Sequence, residues 1–325
     1  FLKETKTIDV DCGTGTNITL WTREDKVYRI TPRQNDAVNS CWMPDSHRLN
    51  YKYINAETRI PQPVIRTDAE APHRPSTWEP ALASAAEAVK RIAPNQLAII
   101  ASGRMTNEEL YMVRHLAAQI GTDMVDIVPR MGESDGMLIS ADRNPNTNGA
   151  RLVLDIEPGS RLDAIREGVR SGSIKGILSL GEDLISPEAG FTAEDLDKLD
   201  YLFMTAHSAN ETARHADLVL PGVTYAEKFG TMINVTGRIQ RLNRAIQPIG
   251  YARDDWQIFR DITLLLGGNP ALKDFNSALD ILTAMSTEYG ALNGVSWGSI
   301  GDGGQPILEI GVTIPVVERE KNQGR

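Results

Sequence analysis

The side chains able to do metal or redox chemistry in this chain are few: two cysteines, Cys12 and Cys41, and five histidines, His47, His73, His115, His207 and His215. The cysteines are too far apart in sequence to form a zinc-type motif or a disulfide framework, so each reads as a free thiol. Only His207 and His215 are near neighbours, and a pair without a third ligand is weak ground for a metal site. Structural or solvated roles fit all five, with His115 capping or packing within its helix. Asp183, Glu211 and Asp217 fall near the expected carboxyl edge of a sheet, where ion pairs with Arg214 or Arg238 are the plain expectation. The sequence has no glycine-rich dinucleotide turn, no P-loop and no nucleophile-elbow serine.

The elements that must position these residues follow from periodicity. Asn17 to Trp21 and Val27 to Ile30 alternate polar and apolar residues around the turn Arg23-Glu24-Asp25-Lys26, which predicts a hairpin in a small β-rich unit over 1–54. Residues 55–78, with Pro61, Pro63, Pro72 and Pro75, read as a surface linker. From 79 to 325 the pattern alternates. Leu82, Ala86, Val89 and Ile92 mark a helix, Leu97 to Ala101 a buried strand, and Ser102-Gly103-Arg104 a turn into the capping box Thr106-Asn107-Glu108-Glu109. Leu152 to Ile156 reads as a strand, and Ser160 with Asp163 as the cap of a helix that Gly172 ends. Further strands are expected at Lys175–Leu180, Leu199–Met204 and Leu218–Leu220, and helices at Asp254–Leu266 and Ser277–Tyr289. Strands and helices alternating at this spacing predict an α/β fold with a doubly wound, mostly parallel sheet, preceded by the β-rich unit. Such sheets place ligands at the carboxyl ends of their strands.

With 325 residues, 41% hydrophobic and 24% charged, the chain can bury a large core. Its net charge of −9 argues against a general nucleic-acid surface. No apolar run has the length of a membrane helix, so direct membrane insertion is not expected. The Asn-x-Thr triplets at Asn17, Asn210 and Asn234 read as incidental.

The stretch Thr205–Arg244, TAHSANETARHADLVLPGVTYAEKFGTMINVTGRIQRLNR, carries a longer signal. It resembles the ETARxADVVLP…EKxGTxxNxxGRxQ block of the molybdopterin-dependent oxidoreductases, and within them the large iron–sulfur subunits of complex I. The resemblance implies a molybdopterin oxidoreductase fold, in which the turn at Thr106-Asn107 and the turn at Gly181-Glu182-Asp183 face a pterin dinucleotide. It also implies a [4Fe-4S] cluster in the first unit, on four cysteines spaced C-x2-C-x3-C-x27-C.

Laid on this chain, that spacing falls on Asp9, Cys12, Thr16 and Pro44, and Ser46 stands where catalytic relatives carry a bridging lysine. One thiol cannot hold four irons. The position implied for the molybdenum ligand falls on Gly132, and that of the neighbouring histidine on Glu133. The segment between Asn107 and Gly181 is also too short to contain the family's inserted second α/β domain. The expectation is therefore a module without catalytic residues, metal or cofactor, with Cys12 a remnant. Ser102, Thr106, Asn107, Gly132, Gly181 and Thr205 are the candidates for a vestigial pocket. Iron–sulfur clusters are expected only in domains upstream of Phe1-Leu2-Lys3-Glu4-Thr5, which resembles the join after them.

The implied partners are those upstream domains and other subunits of the complex I peripheral arm, in a cytoplasmic position peripheral to the inner membrane. A working formate dehydrogenase-like enzyme with a backbone or water ligand at Gly132 is the alternative. A small-ligand module using the cleft at Ser102, Thr106, Asn107, Gly181 and Thr205 is the third reading.

Overall fold

In the computed structural model, which describes residues 1–67 and 71–322, the chain opens with three antiparallel strands, β1 (Lys3–Ile8), β2 (Asn17–Arg23) and β3 (Lys26–Pro32). The hairpin is the expected one, and Glu24 and Asp25 both take left-handed φ to close it. β1 completes the sheet on the other side of β2. A short helix, α1 (Asp45–Arg48), follows. This unit has no core of its own: Ile8, Ile18, Leu20 and Ile30 pack with Tyr225, Met232, Leu242 and Ile246 from far along the chain.

The stretch expected to be a linker does more than wrap the surface. It supplies two short strands, β4 (Val64–Ile65) and β5 (Arg74–Pro75), to the edge of the main sheet. It is also anchored by Arg59, which is buried and gives an ion pair to Glu227 at 2.6 Å.

After α2 (Trp78–Arg91) come β6 (Leu97–Ala101), α3 (Asn107–Ile120) and β7 (Val125–Ile127). Then α4 (Thr147–Leu154), α5 (Leu162–Ser171), β8 (Gly176–Leu180), α6 (Ala193–Leu196), β9 (Tyr201–Ala206), α7 (Glu211–His215) and β10 (Leu218–Pro221) follow. The sheet order is β5-β4-β10-β9-β8-β6-β7, with β10, β9, β8, β6 and β7 parallel. Alternation along β6 shows why it is doubly wound. Leu97, Ile99 and Ala101 face the core under α2, α3 and α8 (Asp255–Leu265), while Ala98 and Ile100 face the core under α5. A strand buried on both faces reads as an unbroken apolar run, as this one does. The chain continues through β11 (Gly230–Ile233) and β12 (Arg238–Leu242), then α8, α9 (Ala278–Glu288) and β13 (Gln305–Pro306), which pairs with β12.

Two expectations fail. Leu152 to Ile156 is not a strand: Leu152–Leu154 ends α4, only Val153 and Ile156 of the run are buried, and Asp155 at φ 55° stops the helix. Ser160 does not cap α5 either. Asp126, the middle residue of β7 and fully buried, accepts the amides of Gly159 and Arg161 at 2.8 and 2.7 Å. Among the described residues no helix is long and apolar enough to cross a membrane.

Candidate functional site

The parallel strands diverge in connection between β6 and β8: β6 leads through α3 to β7 on one side, whereas β8 and β9 lie on the other. Their carboxyl ends form the crevice where this architecture binds ligands. Ser102 follows β6 and Gly181 follows β8, and a Cβ on Gly181 would sit 3.5 Å from that of Ser102. Both line the crevice. Thr205, fully buried in β9, accepts the Gly181 amide at 3.0 Å through its carbonyl. These three candidates are brought together.

Thr106 and Asn107 are not part of that group. The Thr106 hydroxyl accepts the Glu109 amide at 3.3 Å, and the Glu109 carboxylate accepts the Thr106 amide at 2.8 Å. Asn107 donates to Thr231 at 3.0 Å and accepts from Asn146 at 3.0 Å. Both side chains are buried in helix capping and packing against β11. Gly132 is farther off, exposed on the loop after β7, where a Cβ would meet the Arg143 Nε at 2.6 Å.

The crevice itself is narrow, about 100 Å³. Val10 and Tyr53 from the first unit, His207, Tyr225 and the Lys228–Asp255 side take up its walls. Pockets for drug-sized ligands run to roughly 300–1,000 Å³, and a pterin dinucleotide is larger than most such ligands. His207 is pushed down to about 4 by burial, with the Arg59, Lys228 and Arg104 charges adding to it. Its Nδ1 bonds to Ser208 at 2.9 Å, and its ring lies 5.6 Å from that of Tyr53. His215 is elsewhere, 2.8 Å from Asp197, so the two histidines form no pair. His115 packs edge-on to Tyr111, as expected. Of the acids, Glu211 pairs with Arg214 at 3.1 Å. Asp217 instead pairs with Arg66, and Asp183 accepts the Thr212 hydroxyl at 2.6 Å. Arg238 donates to the Gly303 and Gly304 carbonyls.

A second group forms beside the crevice. The turn between β1 and β2 is closed by the Asp9 amide donating to the Thr16 carbonyl at 2.8 Å. It brings Asp9 and Cys12 against His47 of α1, and a carboxylate oxygen, the Sγ and an imidazole nitrogen all lie within 4.8 Å of one another. All three residues are buried. The His47 Nδ1 and Asp9 Oδ2 are 2.6 Å apart. Burial presses the His47 imidazole down, but the hydrogen bond and charge of Asp9 outweigh it and hold it above its ordinary value. Burial, reinforced by Asp9, pushes the Cys12 thiol up. Thr16 offers a hydroxyl, and Pro44, which precedes α1, offers no donor. One thiolate donor at four corners does not fit a [4Fe-4S] cluster.

The sequence reading had no place for His47 in this group. The signal was present: donors at the first two corner positions, and a histidine one turn beyond the fourth.

Residues 2–52 match the family model described as NADH-ubiquinone oxidoreductase NDSU1/NuoG-like, 4Fe-4S domain. Residues 136–263 match the model for molybdopterin oxidoreductase. The chain is also 24% identical, over 85% of its length, to the mitochondrial 78 kDa subunit of NADH-ubiquinone oxidoreductase from Candida albicans. The chain is a homologue of the complex I large iron–sulfur subunit. Over 41% of its length it is 33% identical to the NADPH-Fe(3+) oxidoreductase subunit alpha of Geobacter sulfurreducens. It spans about half of the Candida subunit, 54%, and 16% of the Geobacter protein. Its fold matches acetylene hydratase from Pelobacter acetylenicus with a TM-score of 0.66 at 9% identity, over 91% of this chain and 73% of that one. That likeness supports the molybdopterin oxidoreductase fold.

Proposed function

We propose that this chain is a structural module of a complex I-type NADH:quinone oxidoreductase subunit, and that its own residues hold neither a [4Fe-4S] cluster nor a pterin. Electrons pass through clusters in upstream domains of the full subunit. The module packs against those domains and against neighbouring subunits of the peripheral arm, outside the membrane. The observation that carries this reading is the donor set of the first unit: at the family's cluster position stand a buried Asp9, already paired with His47, and a single thiol, Cys12. The narrowness of the switch-point crevice, about 100 Å³ and walled by Tyr53, His207 and Tyr225, supports it independently.

The test compares full-length subunit carrying Cys12→Ala with the unaltered protein, measuring iron, acid-labile sulfide, molybdenum and pterin. Equal iron and sulfide in the two, with no stoichiometric molybdenum or pterin in either, is the expected result. Loss of a cluster's worth of iron and sulfide in the variant would overturn it.

The alternative reading is a molybdopterin-dependent, formate dehydrogenase-like oxidoreductase. A cavity of about 420 Å³ between the loop after β7 and residues 310–315 is the observation that favours it. Formate oxidation with a dye acceptor decides between the two.

A further inference from the structure

Three of the four corner positions carry donor atoms, in Asp9, Cys12 and the Thr16 hydroxyl, and the fold brings His47 from another element against the first two. Asp9 opens the β1–β2 turn, Cys12 lies three residues on, and His47 is on α1. An oxygen, a sulfur and a nitrogen donor converge within 4.8 Å.

Among the described residues this is the one group of three or more such side chains close enough to share an ion. A tetrahedral ion with bonds of about 2.0–2.3 Å holds its ligands roughly 3.3–3.8 Å apart. The Asp9–His47 contact, now 2.6 Å, would open by about 0.7 Å, and the thiol would close in by at most about 1.3 Å.

The turn that carries Asp9 and Cys12 is held rigidly in place. The Gly13 amide donates to Asp142 at 2.9 Å, its carbonyl accepts from Val235 at 2.8 Å, and Asn234 donates to the Thr14 carbonyl at 3.0 Å. Gly13 is required there, since a Cβ would lie 2.5 Å from Val235 Cγ1. The Cys12 thiol makes a long contact, 3.9 Å, to the Leu138 carbonyl, with Thr14 and Ser140 also beside it. Entry is open, because His47 also lines a solvent-accessible hollow of about 810 Å³ with Asp11 and Asn50. That hollow can deliver both the ion and a water as fourth ligand.

We propose that Asp9, Cys12 and His47 form a mononuclear binding site for a borderline divalent cation of the zinc class. This rests on the reading that no [4Fe-4S] cluster is held here. Mixed sulfur, nitrogen and oxygen donors suit Zn²⁺, and three protein ligands with an open fourth position form a recognised zinc geometry. Charge balance agrees: a carboxylate and a thiolate neutralise a dication, so binding releases the thiol proton and leaves no net charge in a buried site. His47 binds as the neutral imidazole, giving up its proton to solvent.

The test uses the full chain, titrated with Co²⁺ and then with Zn²⁺ in competition. Co²⁺ should give a near-ultraviolet thiolate-to-metal charge-transfer band and the visible bands of a tetrahedral ion, at one equivalent, bleached by Zn²⁺. Cys12→Ser should abolish the charge-transfer band and weaken Zn²⁺ binding at least about tenfold. His47→Gln should weaken it by a similar factor while the band persists at higher Co²⁺. Circular dichroism confirms that each variant is folded, and Cys41→Ser serves as the control that leaves binding unchanged. Absence of the band, or a band that survives Cys12→Ser, would overturn the site. Acid-labile sulfide bound through Cys12 would instead sink the underlying reading that no cluster is present.

Discussion

Lys228 Nζ lies 2.8 Å from both carboxylate oxygens of Glu109, and both side chains are buried. The pair ties the segment after β10 to the first turn of α3, and so joins the family block to the capping-box turn far upstream in the chain. Burial alone would lower the Lys228 amine, but the Glu109 charge outweighs it and holds the amine above its usual value. Removing one partner leaves an uncompensated buried charge, which costs about 3–5 kcal/mol. Lys228→Met and Glu109→Gln should each lower the unfolding free energy measured in urea by an amount of that order. The double variant should recover part of the loss, and a double variant no more stable than the worse single one would show that the pair is not coupled.

Glu108, next to Glu109, sets a pH dependence. Its carboxylate accepts the amide and hydroxyl of Thr231 at 2.8 Å each, yet burial dominates and raises its pKa from an ordinary 4.5 to about 7. A raised carboxyl pKa means that the folded state binds the proton more tightly than the unfolded chain. The stability it contributes is therefore complete below the unfolded value and is lost as pH rises through about 7. Between those limits the unaltered chain should lose stability with rising pH, and Glu108→Gln should flatten that slope. Thermal melting from mildly acid to neutral pH measures it. Equal slopes in the two proteins would mean that Glu108 titrates normally.

Asp126 replaces Ser160 as the device that starts α5. Three backbone amides, those of Ile127, Gly159 and Arg161, point at its carboxylate within 2.8 Å. Substituting Ala strands buried donors, so Asp126→Ala should cost about 1–3 kcal/mol. Ser160→Ala, at a side chain that caps nothing, should stay within about 0.5 kcal/mol. Denaturant unfolding of the two variants side by side gives the comparison, and equal losses would contradict the assignment.

What was legible in the sequence follows from how far each signal reaches. Leu97–Ala101, Gly176–Leu180 and Leu218–Leu220 were readable as strands because both of their faces are buried, which forces a continuous apolar run. The Thr106–Glu109 capping box was readable because its two bonds are local. Leu152–Ile156 misled because a short apolar run has no period, so the end of an amphipathic helix looks like a strand. β7 has three residues, too few to show a pattern. Among the six pocket candidates, Ser102 and Gly181 line one crevice because each follows a parallel strand, and Thr205, near the end of β9, is held against Gly181. Thr106 and Asn107 turn aside because the same side chains that could face a ligand are used to cap α3 and hold β11. The Asp9–Cys12–His47 group is legible only through the family spacing, which sets Pro44 and the start of α1 beside the β1–β2 turn; nothing in the local sequence alone says that α1 folds back there.

Gly237 is the sharpest steric demand in the family block. Its φ is 81°, and a Cβ there would lie 2.3 Å from the Leu308 carbonyl oxygen, with the Leu308 backbone itself blocking relief. The amides of Ile307 and Leu308 both donate to the Gly237 carbonyl, at 3.0 and 3.1 Å, so the C-terminal segment is docked through this residue. Asn234 shapes the turn from the other side, its Oδ1 accepting the Thr236 and Arg238 amides at 3.0 Å each. Gly237→Ala meets both a left-handed backbone and a backbone clash. It should cost about 1–3 kcal/mol and loosen the pairing of β13 with β12. Hydrogen exchange should show faster exchange at Ile307 and Leu308 than in the unaltered protein, with β8 and β9 unchanged. Uniform acceleration across the sheet would mean that the turn supports the whole fold and not the docking of this segment alone.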